Sequence, residues 1–146
     1  METSLQELRS WTQGHSFWIY NGGLSCCTME VLSVSGPRYD WERFGCISVS
    51  DPGNADVLIV AGPVTESMRE EVRSAYEKMR SPKFVISVGS CANTGGMFVD
   101  LSYTVTHGLE SILPVDLYVP GCPPRPEALL HALIGLQKKI ARQAAQ

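Results

Sequence analysis

The run Val57-Leu58-Ile59-Val60-Ala61 is continuously apolar, with no polar residue on either alternate. A strand that reads this way has no solvated face, which points to a parallel sheet covered by helices on both sides. Gly62-Pro63 ends the run, and Thr65 stands as a helix N-cap ahead of Glu66 in the first turn. Met68, Val72, Ala75, Tyr76 and Met79 then fall on one stripe of an amphipathic helix, and Pro82 marks its end. Residues 84–88 repeat the buried-strand pattern.

The same alternation extends outward. Leu5, Leu8 and Trp11 have helical spacing, and residues 17–20 read as a strand that stops at Asn21-Gly22-Gly23. Residues 26–34 read as a short apolar helix broken by Gly36-Pro37, and residues 115–119 as another strand. Prolines 123, 124 and 126 then lead into a last helix with Leu129, Leu133, Leu136 and Ile140 on its apolar face. Lys138, Lys139 and Arg142 lie where that helix dipole favours cations. The expected fold is α/β, with three layers and a four-stranded parallel sheet, flavodoxin-like in type. At 146 residues the chain suits one domain over 16–146, preceded by an arm or short helix over 1–15.

Composition narrows the function. With 44% hydrophobic and 18% charged residues the chain has the balance of a folded domain. A net charge of −3 leaves no basic excess for phosphates, so nucleic acid is not an expected partner. No apolar stretch approaches the roughly 20 residues that span a bilayer. Glu2 and Glu7 replace the basic-then-apolar start of a secretory signal, so a cytoplasmic protein is expected, with any membrane link made through a partner.

Five cysteines, an odd number without an export signal, argue against a disulfide framework. Cys26 and Cys27 follow the first predicted strand, Cys91 the third and Cys122 the fourth. Open parallel sheets bind ligands beyond the carboxyl ends of their strands, so these four thiols would share one rim. Gly22, Gly23, Gly89, Gly95, Gly96 and Gly121 surround them, and glycine lets backbone N–H groups approach a cluster's sulfurs. Such a set could hold zinc or an iron–sulfur cluster. No paired Cys-x2-4-Cys knuckle is present, and adjacent cysteines suit the separate corner irons of a [4Fe–4S] cube better than one tetrahedral ion. Cys46 belongs to no motif and reads as a core residue.

Several motifs now occur in a fixed order: Cys26-Cys27-Thr28-Met29-Glu30, Pro37-Arg38-Tyr39-Asp40 with Glu42-Arg43-Phe44-Gly45, Gly89-Ser90-Cys91-Ala92-Asn93, and Val119-Pro120-Gly121-Cys122-Pro123-Pro124. Together they resemble the 20-kDa subunit family of respiratory complex I, NADH:quinone oxidoreductase, which is homologous to the small subunits of [NiFe] hydrogenases. The resemblance covers about residues 16–140. It implies one [4Fe–4S] cluster, the last in an electron-transfer wire, with Cys26, Cys27, Cys91 and Cys122 as ligands. It implies a non-autonomous oxidoreductase subunit with a large hydrogenase-like (49-kDa-type) partner, a ferredoxin-like iron–sulfur partner and membrane subunits. The chain would then lie peripherally on the cytoplasmic side of a membrane-bound complex. The acceptor, a quinone or a sulfur compound, would sit at the interface with the large subunit.

Particular residues refine this. Gly121-Cys122-Pro123-Pro124-Arg125-Pro126-Glu127-Ala128 is similar to membrane-bound hydrogenase and sulfane sulfur reductase-like complexes, and the segment 51–56 lacks an arginine usual in complex I. Leu24 stands where a hydrogenase small subunit resembles Cys-x-x-Cys, which counts against that alternative. Glu30 could relay protons or form a salt bridge. Arg38 and Arg43 could face the cluster or acceptor, or be paired at the surface. A zinc-stabilised structural or binding module is the alternative from another class. Trp11, Phe17, Trp18, Trp41, Phe44 and Phe98 supply aromatic surface, some of it expected against other subunits.

Overall fold

The computed structural model of the chain describes residues 14–23 and 25–144, together with Leu5, Leu8, Trp11 and Thr12. Leu24, and Glu2 and Glu7 of the N-terminal arm, lie outside the described residues. Leu5, Leu8, Trp11 and Thr12 have helical backbone, with His15 stacked on Trp11 at 4.7 Å between ring centroids.

Strands β1 (Phe17–Asn21), β2 (Cys46–Ser48), β3 (Val57–Ala61), β4 (Phe84–Val88) and β5 (Leu117–Val119) form one parallel sheet in the order β2-β1-β3-β4-β5. The α/β parallel architecture expected from the sequence is present, and the sheet carries one strand more. The added strand is the short edge strand β2, whose Cys-Ile-Ser has too few residues to show a period.

Helices α1 (Cys26–Ser35) and α4 (Pro126–Ala144) cover one face, and α2 (Glu66–Lys78) covers the other; the five-residue α3 (Ser90–Thr94) follows β4. The division follows from the strand period of two. Val57, Ile59 and Ala61 join Phe17, Ile19, Ile86 and Val88 beneath Val31, Val34, Leu129, Leu133 and Leu136. Leu58, Val60 and Val85 point the other way, onto Val72 and Met79 of the α2 side and Leu109 and Leu113. All five residues of β3 are buried, as a central strand covered on both faces requires.

The helix signals are used as read. Thr65 Oγ1 accepts from the Met68 N–H at 3.4 Å, capping α2. Leu129, Leu133, Leu136 and Ile140 are all buried along α4. Two of the aromatics considered for partner contacts, Phe17 and Trp41, are instead in the core. Trp18 and Phe98 remain partly exposed.

Candidate iron–sulfur site

Each predicted cysteine leaves the sheet at its carboxyl rim. β1 ends at Asn21, and Gly22-Gly23 carries the chain across the end of β3, where the Gly22 N–H donates to the Ile59 carbonyl at 2.8 Å. Ser25 is the N-cap of α1, so Cys26 and Cys27 occupy its first turn. Cys91 lies in the first turn of α3, directly beyond β4. Cys122 lies three residues beyond β5, and the Cys122–Pro123 peptide is cis.

The thiols differ in exposure. Cys27 and Cys91 are buried, whereas Cys26 and Cys122 are exposed, so the set has a floor and an open side. Their charges reach one another. The Cys27 thiol is pushed up to about 12, first by burial, then by the charge of Cys26, a hydrogen bond with Cys26, and the charges of Cys91 and Cys122. Cys91 is also raised, by burial and then by Cys122 and Cys26. Cys46 is raised to about 11 by burial alone, with no thiol contributing. Cys27 and Cys91 are thus raised in part by neighbouring thiols, and Cys46 is not.

Two glycines fit the backbone to the sulfurs. Gly89 has φ +89°, and a Cβ there would lie 2.5 Å from Cys27 Sγ. Gly96 has φ +59°, and a Cβ there would lie 3.0 Å from Cys91 Sγ. Any larger residue would fill the space beside the Cys27 or Cys91 sulfur and would need a positive-φ backbone that glycine tolerates. Among the described residues no group of three or more His, Cys, Asp or Glu could hold a metal ion. A tetrahedral zinc site needs thiolates about 3.8 Å apart around one ion. Cys26 and Cys27 share one helix turn, while Cys91 and Cys122 come from two further segments.

The remaining candidates, Glu30, Arg38 and Arg43, have partners of their own. Glu30 is on α1, and its charge is among those that raise the Tyr39 phenol. Tyr39 Oη donates to Glu127 Oε1 at 2.9 Å, the largest cause of that rise. Arg38 lies over the Tyr39 ring, its Cζ 5.6 Å from the centroid. Arg43 pairs with Asp40 at 3.4 Å on the surface. The loop bearing both arginines is tied to α4 by Gln137 Nε2, which donates to the Phe44 carbonyl at 2.8 Å.

Sequence reasoning missed the polar residues that frame the cysteines: Ser25, Ser87, Ser90 and Asn93. A signal was present, because a serine directly precedes both Cys26 and Cys91. It also missed the apolar surface beside the rim. Met29 and Leu32 project from α1, and Met97, Leu101 and Tyr103 project from the loop after Cys91, all more than half exposed.

The family model of the NADH ubiquinone oxidoreductase 20-kDa subunit matches residues 25–136. The B-type subunit of the NADH-quinone oxidoreductase of Clostridium beijerinckii is 49% identical over 139 residues, covering 94% of this chain and 82% of that protein. A chain of the membrane-bound sulfane sulfur reductase, an archaeal respiratory membrane complex, superposes with TM-score 0.84 at 33% identity, over 93% of this chain and 76% of that one. A chain of an NAD+-reducing [NiFe]-hydrogenase superposes with TM-score 0.64 at 20% identity, over 85% of this chain and 92% of that one, a likeness of fold.

Proposed function

The chain belongs to the family of the 20-kDa subunit of NADH:ubiquinone oxidoreductase, and from that premise we propose that it is the electron-transfer subunit of a membrane-bound, complex I-related oxidoreductase, holding one [4Fe–4S] cluster. The observation that carries this reading is the convergence of Cys26, Cys27, Cys91 and Cys122 on one rim, with Cys46 left apart. A [4Fe–4S] cluster bound there supplies a one-electron carrier. The four cysteines would hold it. The first-turn N–H groups of α1 would offset the negative charge of Cys26 and Cys27. Gly89 and Gly96 keep side chains out of the space beside the buried sulfurs.

Cys26 and Cys122 are exposed, and apolar Met29, Leu32, Met97, Leu101 and Tyr103 flank the rim. This open side calls for cover by other subunits, since exposed apolar surface beside a site marks an interface. A ferredoxin-like iron–sulfur subunit would donate electrons to this chain. A large hydrogenase-like subunit would cover the rim and share the acceptor pocket, where a quinone or a sulfur compound is reduced. No helix among the described residues is long and apolar enough to cross a membrane, so attachment on the cytoplasmic side would come through membrane subunits. Glu30, beside Tyr39, could serve as a proton relay, and Arg38 could contribute positive charge to the acceptor wall.

The test is an EPR spectrum of the anaerobically purified protein after reduction. One [4Fe–4S]⁺ signal, abolished by Cys91→Ala and unaffected by Cys46→Ala, is expected. Zinc without acid-labile sulfide would refute the reading.

A further inference from the structure

The paired residues of β4 and β5 end at Val88 and Val119, yet Cys91 and Cys122 lie three residues beyond, where no sheet bonds align their loops. The loops are tied instead by a short polar clamp. The Gly121 carbonyl, adjacent to Cys122, accepts two bonds from Ser90, adjacent to Cys91: the main-chain N–H at 2.8 Å and Oγ at 3.1 Å. One carbonyl therefore joins the neighbours of both cysteines. Behind it, the Val119 carbonyl accepts from the Gly89 N–H at 2.9 Å and from Asn93 Nδ2 at 3.2 Å. Asn93 is itself oriented by Ser87 Oγ, a fully buried hydroxyl that donates to its Oδ1 at 2.6 Å.

The same device recurs at the other end of the rim. Ser25, directly before Cys26, donates through Oγ to the Ala61 carbonyl at the end of β3, at 3.3 Å. The next residue of that loop, Gly62, donates its N–H to the Val88 carbonyl at 3.2 Å. Hydrogen bonds thus link each loop to the next, from that of Cys26, past β3 and β4, to that of Cys122.

Resting on the iron–sulfur reading above, we infer that Ser90 is a positioning residue whose hydroxyl, with Asn93 behind it, locks the Cys91 and Cys122 loops together and so presets the ligand spacing before metal arrives. Cys122 depends on this most, because it is exposed and belongs to no strand or helix. A ligand loop anchored by outer-shell hydrogen bonds holds metal more tightly, and loss of such a partner costs roughly 10–100-fold in affinity.

The experiment compares the full wild-type chain with Ser90→Ala and Ser90→Thr. Each is reconstituted anaerobically with ferrous iron and sulfide, then challenged with an iron chelator. The main-chain bond of residue 90 is common to all three, so the comparison isolates the hydroxyl. Ser90→Ala is expected to release iron about tenfold faster, with shifted EPR g-values, while its apo form keeps the wild-type far-UV circular dichroism. Ser90→Thr, which retains a donor, is expected to restore both rate and spectrum. Wild-type release and spectrum in Ser90→Ala would overturn the inference, as would equal loss in Ser90→Thr. Wild-type chain that takes up no iron and sulfide would overturn the iron–sulfur reading itself, and the clamp with it.

Discussion

Gly89→Ala is the most discriminating single change, because its two costs can be worked out separately. At φ +89° and ψ 157° an L-residue is strained, by roughly 1–3 kcal/mol in a region essentially confined to glycine. The new Cβ would also lie 2.5 Å from Cys27 Sγ, against an ordinary non-bonded separation of roughly 3.5–4.0 Å, so one of the two must move by about 1 Å. Overpacking of this kind costs a further 1–3 kcal/mol or so, roughly 2–6 kcal/mol in all. A domain near the middle of the usual range of about 5–15 kcal/mol survives that. A metal site does not, since ligand distances hold only within about 0.2 Å. The variant is therefore expected to fold, to unfold at lower urea, and to lose most of its iron and labile sulfide. Leu133→Ala is the control: it empties a fully buried position at a cost of about 2–5 kcal/mol, on α4, a helix that carries no cysteine. Urea unfolding followed by circular dichroism gives the stability, and iron and sulfide analysis gives the occupancy. Full loading of Gly89→Ala would refute the reasoning. So would equal metal loss in Leu133→Ala, since the effect would then be one of stability alone.

Two further outcomes concern pH. Burial raises Cys46 from its ordinary 9.0 to about 11, so its contribution to stability is complete below pH 9 and is lost as pH rises from 9 to 11, about 2–3 kcal/mol in total. Cys46→Ala should reduce this alkaline loss, measured by urea titrations between pH 8 and 11; an unchanged alkaline limb would contradict the assignment. Asp56 is raised by burial, opposed by a bond from the Trp18 backbone and by Arg80, so its stabilising contribution is complete below pH 3.8 and is lost as pH rises through the folded value. Asp56→Asn is expected to raise the neutral-pH melting temperature, and a lower one would show that the Arg80 attraction outweighs burial.

Much of the fold is legible in the chain because burial leaves periodic marks. Val57–Ala61 declares a strand covered on both faces, Leu129 to Ile140 declares one buried helix stripe, and Thr65 declares a cap. These are local signals, carried within a turn or a strand. Edge strand β2 carried none, since three residues show no period and an edge strand has a pairing partner on one side only. Trp41 and Phe17 looked available to partners because aromatic identity does not state which way a side chain faces; packing against α1, α4 and the sheet placed both in the core.

The cysteine motifs likewise reveal the family from the sequence alone, and the match to the family model and to relatives at 49% identity shows it directly. Their chemistry is a property of residue type and order. What tertiary structure decided is how the segments that carry these thiols are tied to one another. Cys46, already outside the motifs, is buried on β2 at the sheet edge, and Gly89 meets Cys27 only because β4 runs near β1 across β3. The Ser90 to Gly121 bond joins residues 31 positions apart, and the Ser25 to Ala61 bond joins residues 36 apart. Such contacts leave no period in the sequence, because each depends on the order in which parallel strands pair, and that order is fixed by the burial of the whole sheet at once.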